Sequence, residues 1–194
     1  MIAIIDYDTG NLRSVENALD RLECEYILTS DPLAIIAADR VILPGVGEAS
    51  TAMKRLRERE LDGVIRSLTQ PVLGICIGVQ LMCRHSQEGD TECLGIFDTD
   101  VRRFSEPGLK IPHMGWNSIE GLSTPLFEGV PEGSYLYYVH SYAPELCPQT
   151  IATTTYGTTR FSGALRRENF YGTQFHPEKS GEVGERILKN FLEL

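Results

Sequence analysis

Three short stretches of this chain carry residue types whose spacing could do chemistry. The first is Gly74-Ile75-Cys76-Ile77-Gly78, which follows the apolar run Val72-Leu73 and precedes Val79, Met82 and Cys83 at the spacing of a helix face. A nucleophile raised on a sharp strand-to-helix turn sits on strained backbone, so its flanking positions must be small. The first free N–H groups of the following helix would favour thiolate over thiol. The second stretch is His176-Pro177-Glu178. In extended backbone residues i and i+2 point to one side, and the proline keeps His176 out of helical geometry. Glu178 is then expected to accept a hydrogen bond from the imidazole, giving nucleophile, base and orienter in the order Cys76, His176, Glu178. The third, Pro44-Gly45-Val46-Gly47, offers main chain only. Its amides at Gly45, Val46 and Gly47, with that of Ile77, suit an oxyanion hole. Taken singly, these are a buried cysteine, a polar loop and a turn; their presence in one chain is what argues for a cysteine-based acyl transfer.

For the three to meet, they must lie at the carboxyl ends of strands in one open parallel sheet, where sites in such sheets form. The pattern supplies the strands. Residues 2–5, 25–28, 41–43 and 72–75 are apolar runs of the buried-strand kind. Between them Leu12, Val15, Leu19 and Leu22 mark one helix, Ser30-Asp31-Pro32 caps a short second, and Met53, Leu56 and Leu61 begin a third that runs to Leu68. Four alternations of strand and helix predict an α/β fold with a mostly parallel central sheet flanked by helices. After Glu88 the texture is β-rich: residues 101–104, 118–120, 135–139, 151–154, 163–166 and 170–175 read as antiparallel or mixed strands added at the edge of that sheet. Ser180 and Glu182 open a last helix with Val183, Ile187, Leu188, Phe191 and Leu192 on its apolar face. With no repeat, linker or low-complexity tract, residues 1–194 are expected to form a single domain.

Composition narrows the partners. A net charge of −9 makes nucleic acid and anionic membranes poor nonspecific partners, and no apolar stretch approaches a membrane span. Met1-Ile2-Ala3-Ile4-Ile5-Asp6 has no basic region and reads as a first strand, not a signal peptide. Five scattered cysteines without a CxxC pair fit a reduced, cytoplasmic protein. Cys83, His85 and Cys93 have ligand chemistry, yet Cys83 falls on the core face of its helix and no fourth ligand is evident. No metal and no cofactor are expected.

The cysteine elbow together with Gln174-Phe175-His176-Pro177-Glu178-Lys179-Ser180 resembles the class I, triad-type glutamine amidotransferases. One branch is more similar still, the glutaminase subunits of imidazole glycerol phosphate synthases. That likeness is carried by residues 6–14, 43–47, Pro112-His113-Met114-Gly115-Trp116-Asn117 and Tyr138-Val139-His140-Ser141-Tyr142, and it spans residues 2–192. The resemblance implies glutamine hydrolysis through a Cys76 thioester, with His176 as base and acid and Glu178 as its orienter. It implies substrate contacts from Gln80, Glu88, Ser141 and Tyr142. It also implies a heterodimer in which Asn11 and residues 112–117 face a separate (β/α)₈ cyclase subunit that receives the ammonia in histidine biosynthesis. The chain departs from the pattern at Asp8, where glycine is usual, and at Thr173, where an aliphatic is. Two other readings stay open: a glutaminase serving another amidotransferase, and a stand-alone hydrolase of γ-glutamyl substrates. A non-catalytic scaffold would lack a member of the triad, and none is lacking here.

Overall fold

The computed structural model describes residues 1–8 and 12–194. Its first half alternates as β1 (Ile2–Ile5), α1 (Arg13–Arg21), β2 (Tyr26–Thr29), α2 (Pro32–Ala37), β3 (Arg40–Leu43), α3 (Ala49–Glu58), α4 (Leu61–Ser67), β4 (Val72–Ile75) and α5 (Ile77–Met82). The second half adds β5 (His85–Ser86), β6 (Thr91–Glu92), β7 (Asp100–Arg103), β8 (His113–Ser118), β9 (Tyr135–His140) and β10 (Tyr142–Pro144). It ends with β11 (Thr150–Tyr156), β12 (Thr159–Arg167), β13 (Phe170–Thr173) and α6 (Gly181–Glu193).

The main sheet has the order β11-β12-β13-β4-β3-β1-β2. From β13 through β2 every pairing is parallel, and β11 and β12 extend it antiparallel. Its central strands β1, β3 and β4 are almost wholly apolar because both faces are covered. Ala3, Ile5, Val41, Leu43 and Val72 pack into one core with α2 to α5, while Ile2, Ile4, Ile42, Leu73 and Ile75 pack into the other with α1 and α6. The period-2 alternation between two cores is the reason these runs show no polar face.

Several sequence expectations change. The helix expected to continue from Met53 to Leu68 is two, broken at Arg59-Glu60, where Glu60 takes the left-handed conformation with φ of 57°. Of the later strands, only β11 to β13 join the main sheet. The strand at Asp100–Arg103 belongs to a separate sheet of order β10-β7-β5-β6, and β8 and β9 form their own antiparallel pair. Residues 113–118 rather than 118–120 make the strand there, with Glu120 contributing a lone bridge to Thr153. The cap of α2 is as expected: the Asp31 carboxylate accepts from the Leu33 amide at 3.0 Å, with Pro32 in the first turn. Ser180 caps nothing by its side chain, which instead serves the site.

Candidate active site

Strand order decides which loops meet. β4 lies between β3 and β13, all three parallel, with Gly74 opposite both Leu43 and Gly172 in register. Residues 44–47, 76–78 and 174–178 therefore leave the sheet side by side at the carboxyl ends of adjacent strands. The Cys76 amide still bonds back across the sheet to the Thr173 carbonyl at 2.8 Å. Cys76 itself has φ of 54° and ψ of −107°, a conformation that L residues avoid and that costs on the order of 1–3 kcal/mol. The elbow is tight on both sides. A Cβ at position 78 would lie 1.9 Å from the Leu43 carbonyl oxygen, and one at position 74 would lie 2.8 Å from the Val79 nitrogen. Only glycine lets α5 rest this closely on β3 and β4.

Cys76, His176, Val46, Gly47, Ile77, Gln80, Glu88, Ser141 and Tyr142 line one cavity of about 300 Å³, at the lower end for a small-molecule site. Pro112, Val139, His140 and Lys179 complete its wall. The His176 Nδ1 to Glu178 Oε1 distance is 2.7 Å, with both side chains buried. The pair forms for a reason other than extended spacing: His176 is extended, but Pro177–Lys179 is a turn of 3-10 helix that folds Glu178 back beneath the ring. Ser180 holds that turn. Its hydroxyl donates to the His176 carbonyl at 2.6 Å and accepts from the Tyr137 amide at 2.9 Å, fastening the loop to β9.

Burial opposes a charge on His176, but the neighbouring Cys76 sulfur and the Glu178 carboxylate outweigh it and push the imidazole pKa up to about 10. His176 Nε2 is buried and makes no hydrogen bond to the Cys76 sulfur or to any other atom among the described residues. Such bonds often tighten only when substrate is bound. The sulfur contacts the Val139 carbonyl at 3.9 Å and the Gln174 side-chain nitrogen at 3.7 Å.

The oxyanion candidates occupy different positions. Gly45 is buried under the Tyr7 hydroxyl and the Ile77 side chain, while Val46 and Gly47 reach the cavity. Tyr7, wholly buried, donates to the Pro44 carbonyl at 2.7 Å and pins this segment from behind. On the substrate side, Glu88 accepts from the Ala49 amide at 2.8 Å, and burial raises its pKa against that bond, with Glu48 adding to the rise.

Within Pro112 to Asn117, Met114 and Trp116 are exposed, at 61% and 56%, whereas His113 turns inward. Its Nδ1 lies 2.9 Å from His140 Nε2, and His140 Nδ1 lies 2.7 Å from the Tyr142 carbonyl. Because that carbonyl only accepts, His140 carries its proton on Nδ1, and His113 must donate to His140 Nε2. Burial lowers both pKa values, to about 4 for His113 and about 3 for His140, so both rings are neutral at pH 7. Asn11 lies outside the described residues. Asp8, the departure from the usual glycine, sits at φ of 62° and is held by an ion pair with Arg59, so the backbone conformation glycine favours is kept. Sequence reasoning missed Tyr7, His140, Gln174 and Lys179 as parts of the site. Tyr7 and His140 come to the site through distant pairing that no local pattern shows, whereas Gln174 and Lys179 flank His176-Pro177-Glu178 in sequence.

A doubly covered parallel sheet with a cysteine elbow beside a histidine–glutamate pair defines a class of protein. The chain belongs to the class-I glutamine amidotransferases, whose family model matches residues 3–194. Among solved structures it shares its fold with a glutamine amidotransferase at a TM-score of 0.74 and 21% identity, covering 100% of this chain and 98% of that one. A glutamine amidotransferase from Thermotoga maritima gives a TM-score of 0.66 and 17% identity, covering 99% and 82%. Curated relatives are much nearer in sequence. The imidazole glycerol phosphate synthase subunit HisH of Bacteroides fragilis is 56% identical over 100% of this chain and 99% of its own length. The HisH subunits of Yersinia pseudotuberculosis and Escherichia coli K12 are each 47% identical over the same shares. Within the class, the chain is a member of the HisH family.

Proposed function

We propose that this chain, as one domain over residues 1–194, hydrolyses glutamine and delivers the ammonia to a separate cyclase subunit of imidazole glycerol phosphate synthase, in the cytoplasm, for histidine biosynthesis. The observation that carries the reading is the meeting of Cys76, on its strained elbow, with the buried His176–Glu178 pair in one cavity.

The Cys76 thiolate attacks the side-chain amide carbon of glutamine, forming the C–S bond. Backbone N–H groups among Gly45, Val46, Gly47 and Ile77 hold the oxyanion, one such donor being worth roughly 2.7–4 kcal/mol. His176, protonated at neutral pH, gives its proton to the departing nitrogen, the C–N bond breaks and ammonia leaves. Water deprotonated by His176 then cleaves the thioester to release glutamate and return the thiolate–imidazolium pair. Glu178 keeps the ring oriented and its charge stable. Glu88 offers a carboxylate suited to the substrate's α-ammonium, and Gln80, Ser141 and Tyr142 bound its side chain. Ammonia released into bulk water at neutral pH would become ammonium, which is no nucleophile; direct transfer to a partner avoids that loss. The exposed pair Met114 and Trp116 is the apolar face for such docking.

The test is Cys76→Ala in complex with the cyclase subunit. Glutamine-dependent synthesis is expected to vanish and ammonia-supported synthesis to persist. Equal loss of both would refute the division of labour.

A further inference from the structure

Behind the nucleophile lies a pair of buried amides whose mutual hydrogen bond the mechanism leaves unused. Gln174 is wholly buried at the end of β13, with its nitrogen 3.7 Å from the Cys76 sulfur. Gln80 is 1% exposed on α5, and its Nε2 sits 2.9 Å from the Tyr142 carbonyl and 2.9 Å from Gln174 Oε1.

Which end of each amide faces which neighbour follows from chemistry. A main-chain carbonyl can only accept, so the end of Gln80 that meets Tyr142 must be its NH₂. The same nitrogen's second hydrogen then meets Gln174, which must present its oxygen. That leaves the NH₂ of Gln174 toward the sulfur. The reversed Gln174 would set two donors against each other in a dry site, where an unmatched polar contact is most costly. The Tyr142 carbonyl is itself held by the His140 Nδ1–H, which is fixed by His113 in turn. Donors from His140 and from Gln80 thus converge on the Tyr142 carbonyl, and from Gln80 the two remaining links, to Gln174 and on to Cys76, both point toward the nucleophile.

We propose that Gln174 donates to the Cys76 sulfur, stabilising its anionic form and aiming it, and that Gln80 is the positioning residue that keeps nitrogen rather than oxygen toward that sulfur. The proposal rests on reading Cys76 as the nucleophile. Gln80 thereby acts twice, since both its donors are engaged within the protein and only Oε1, which has no partner among the described residues, is left for substrate.

The test follows Cys76 alkylation by iodoacetamide across pH, quantified on its own peptide by mass spectrometry, with no glutamine or partner present. In Gln174→Met the length is kept and the donor removed. In Gln80→Met the donor that holds Gln174 Oε1 is removed without adding a charge, so nothing keeps the Gln174 nitrogen on the sulfur. His176, the titratable group facing the sulfur, is unchanged in both, as are His140, Glu88 and Lys179 on the cavity wall. Loss of one hydrogen bond to a charged group predicts alkylation at pH 7 slowed about tenfold in each variant, with the midpoint of the pH–rate curve moved upward. A role in packing alone would lower thermal stability and leave that curve in place. Should Gln174→Met fail to fold, Gln80→Met decides the matter with Gln174 still present. A folded variant whose alkylation curve overlays that of the wild type overturns the proposal. If Cys76→Ala retained glutamine-dependent synthesis, the nucleophile assignment would fall instead, a separate result.

Discussion

The close approach of α5 to β3 can be tested by a single methyl group. In Gly78→Ala the new Cβ would be placed 1.9 Å from the Leu43 carbonyl oxygen and 3.0 Å from its carbon, where ordinary contact begins at 3.4 Å. About 1.5 Å must be opened against main-chain atoms that have no rotamer through which to retreat. The helix therefore has to lift off the strand. Cys76 is the residue at the N-cap of that helix, and Leu43 leads directly into residues 44–47, so lifting separates the sulfur from the candidate oxyanion donors. Overpacking of this kind costs roughly 1–3 kcal/mol in stability, and a displacement of about 1 Å at a reacting group costs about 10²-fold in turnover. The expected outcome is glutamate release by the complex reduced at least about 10²-fold, with a lower melting temperature. Gly63→Ala is the control. Gly63 lies within α4 with nothing within 4 Å of its would-be Cβ, so the substitution should stabilise by about 0.5–1 kcal/mol and leave turnover alone. Wild-type turnover in folded Gly78→Ala would refute the argument that the elbow's geometry sets the reaction's geometry.

The remaining predictions come from buried polar groups. Thr173 is fully buried and its hydroxyl has no partner among the described residues, so Thr173→Val should raise stability by roughly 1–3 kcal/mol in urea unfolding; a loss would show that the hydroxyl is satisfied. Ser180→Ala strands the Tyr137 amide and frees the 3-10 turn, and should cost roughly 1–3 kcal/mol while also lowering glutamate release; unchanged values would deny Ser180 its fastening role. The two lowered histidines give an acid window. His113 and His140 bind protons more readily unfolded, so their contribution is whole above about pH 6.5 and is lost as pH falls from there toward 4 and 3. His176 has the opposite sign: its contribution is whole below about pH 6.5 and declines as pH rises toward 10. Denaturant midpoints measured from about pH 3 to 10 should fall away on both sides of a near-neutral maximum, and substituting His113 by an isosteric neutral residue should flatten the acid limb alone.

What could be read from the sequence was whatever one element encodes by itself. Apolar runs became buried strands because two covered faces leave no position for a polar residue, and Gly74 and Gly78 marked the elbow because no other residue fits there. The break at Arg59-Glu60 had no glycine or proline to announce it, so two helices read as one. Strand membership failed in the second half for a related reason: residues 100–103 look like any edge strand, and only distant pairing assigns them to a separate sheet.

The site shows the same division at finer scale. Cys76 and His176 were visible as local motifs, and the three loops were expected at strand ends. That those ends are adjacent depends on β13 returning to lie beside β4 after the whole β-rich half has intervened. Gln174 illustrates the consequence. In sequence it is one polar residue closing an apolar strand, with a surface position as its ordinary expectation. In the fold it is fully buried, because the sheet brings it against Gln80 and Cys76, each of which satisfies one end of its amide. An unmatched end of a buried amide is costly, and both ends of Gln174 are matched. Gln174 and the distant pair Cys76 and Gln80 therefore constrain one another's orientation, and the direction of every hydrogen bond among them follows from the single carbonyl of Tyr142.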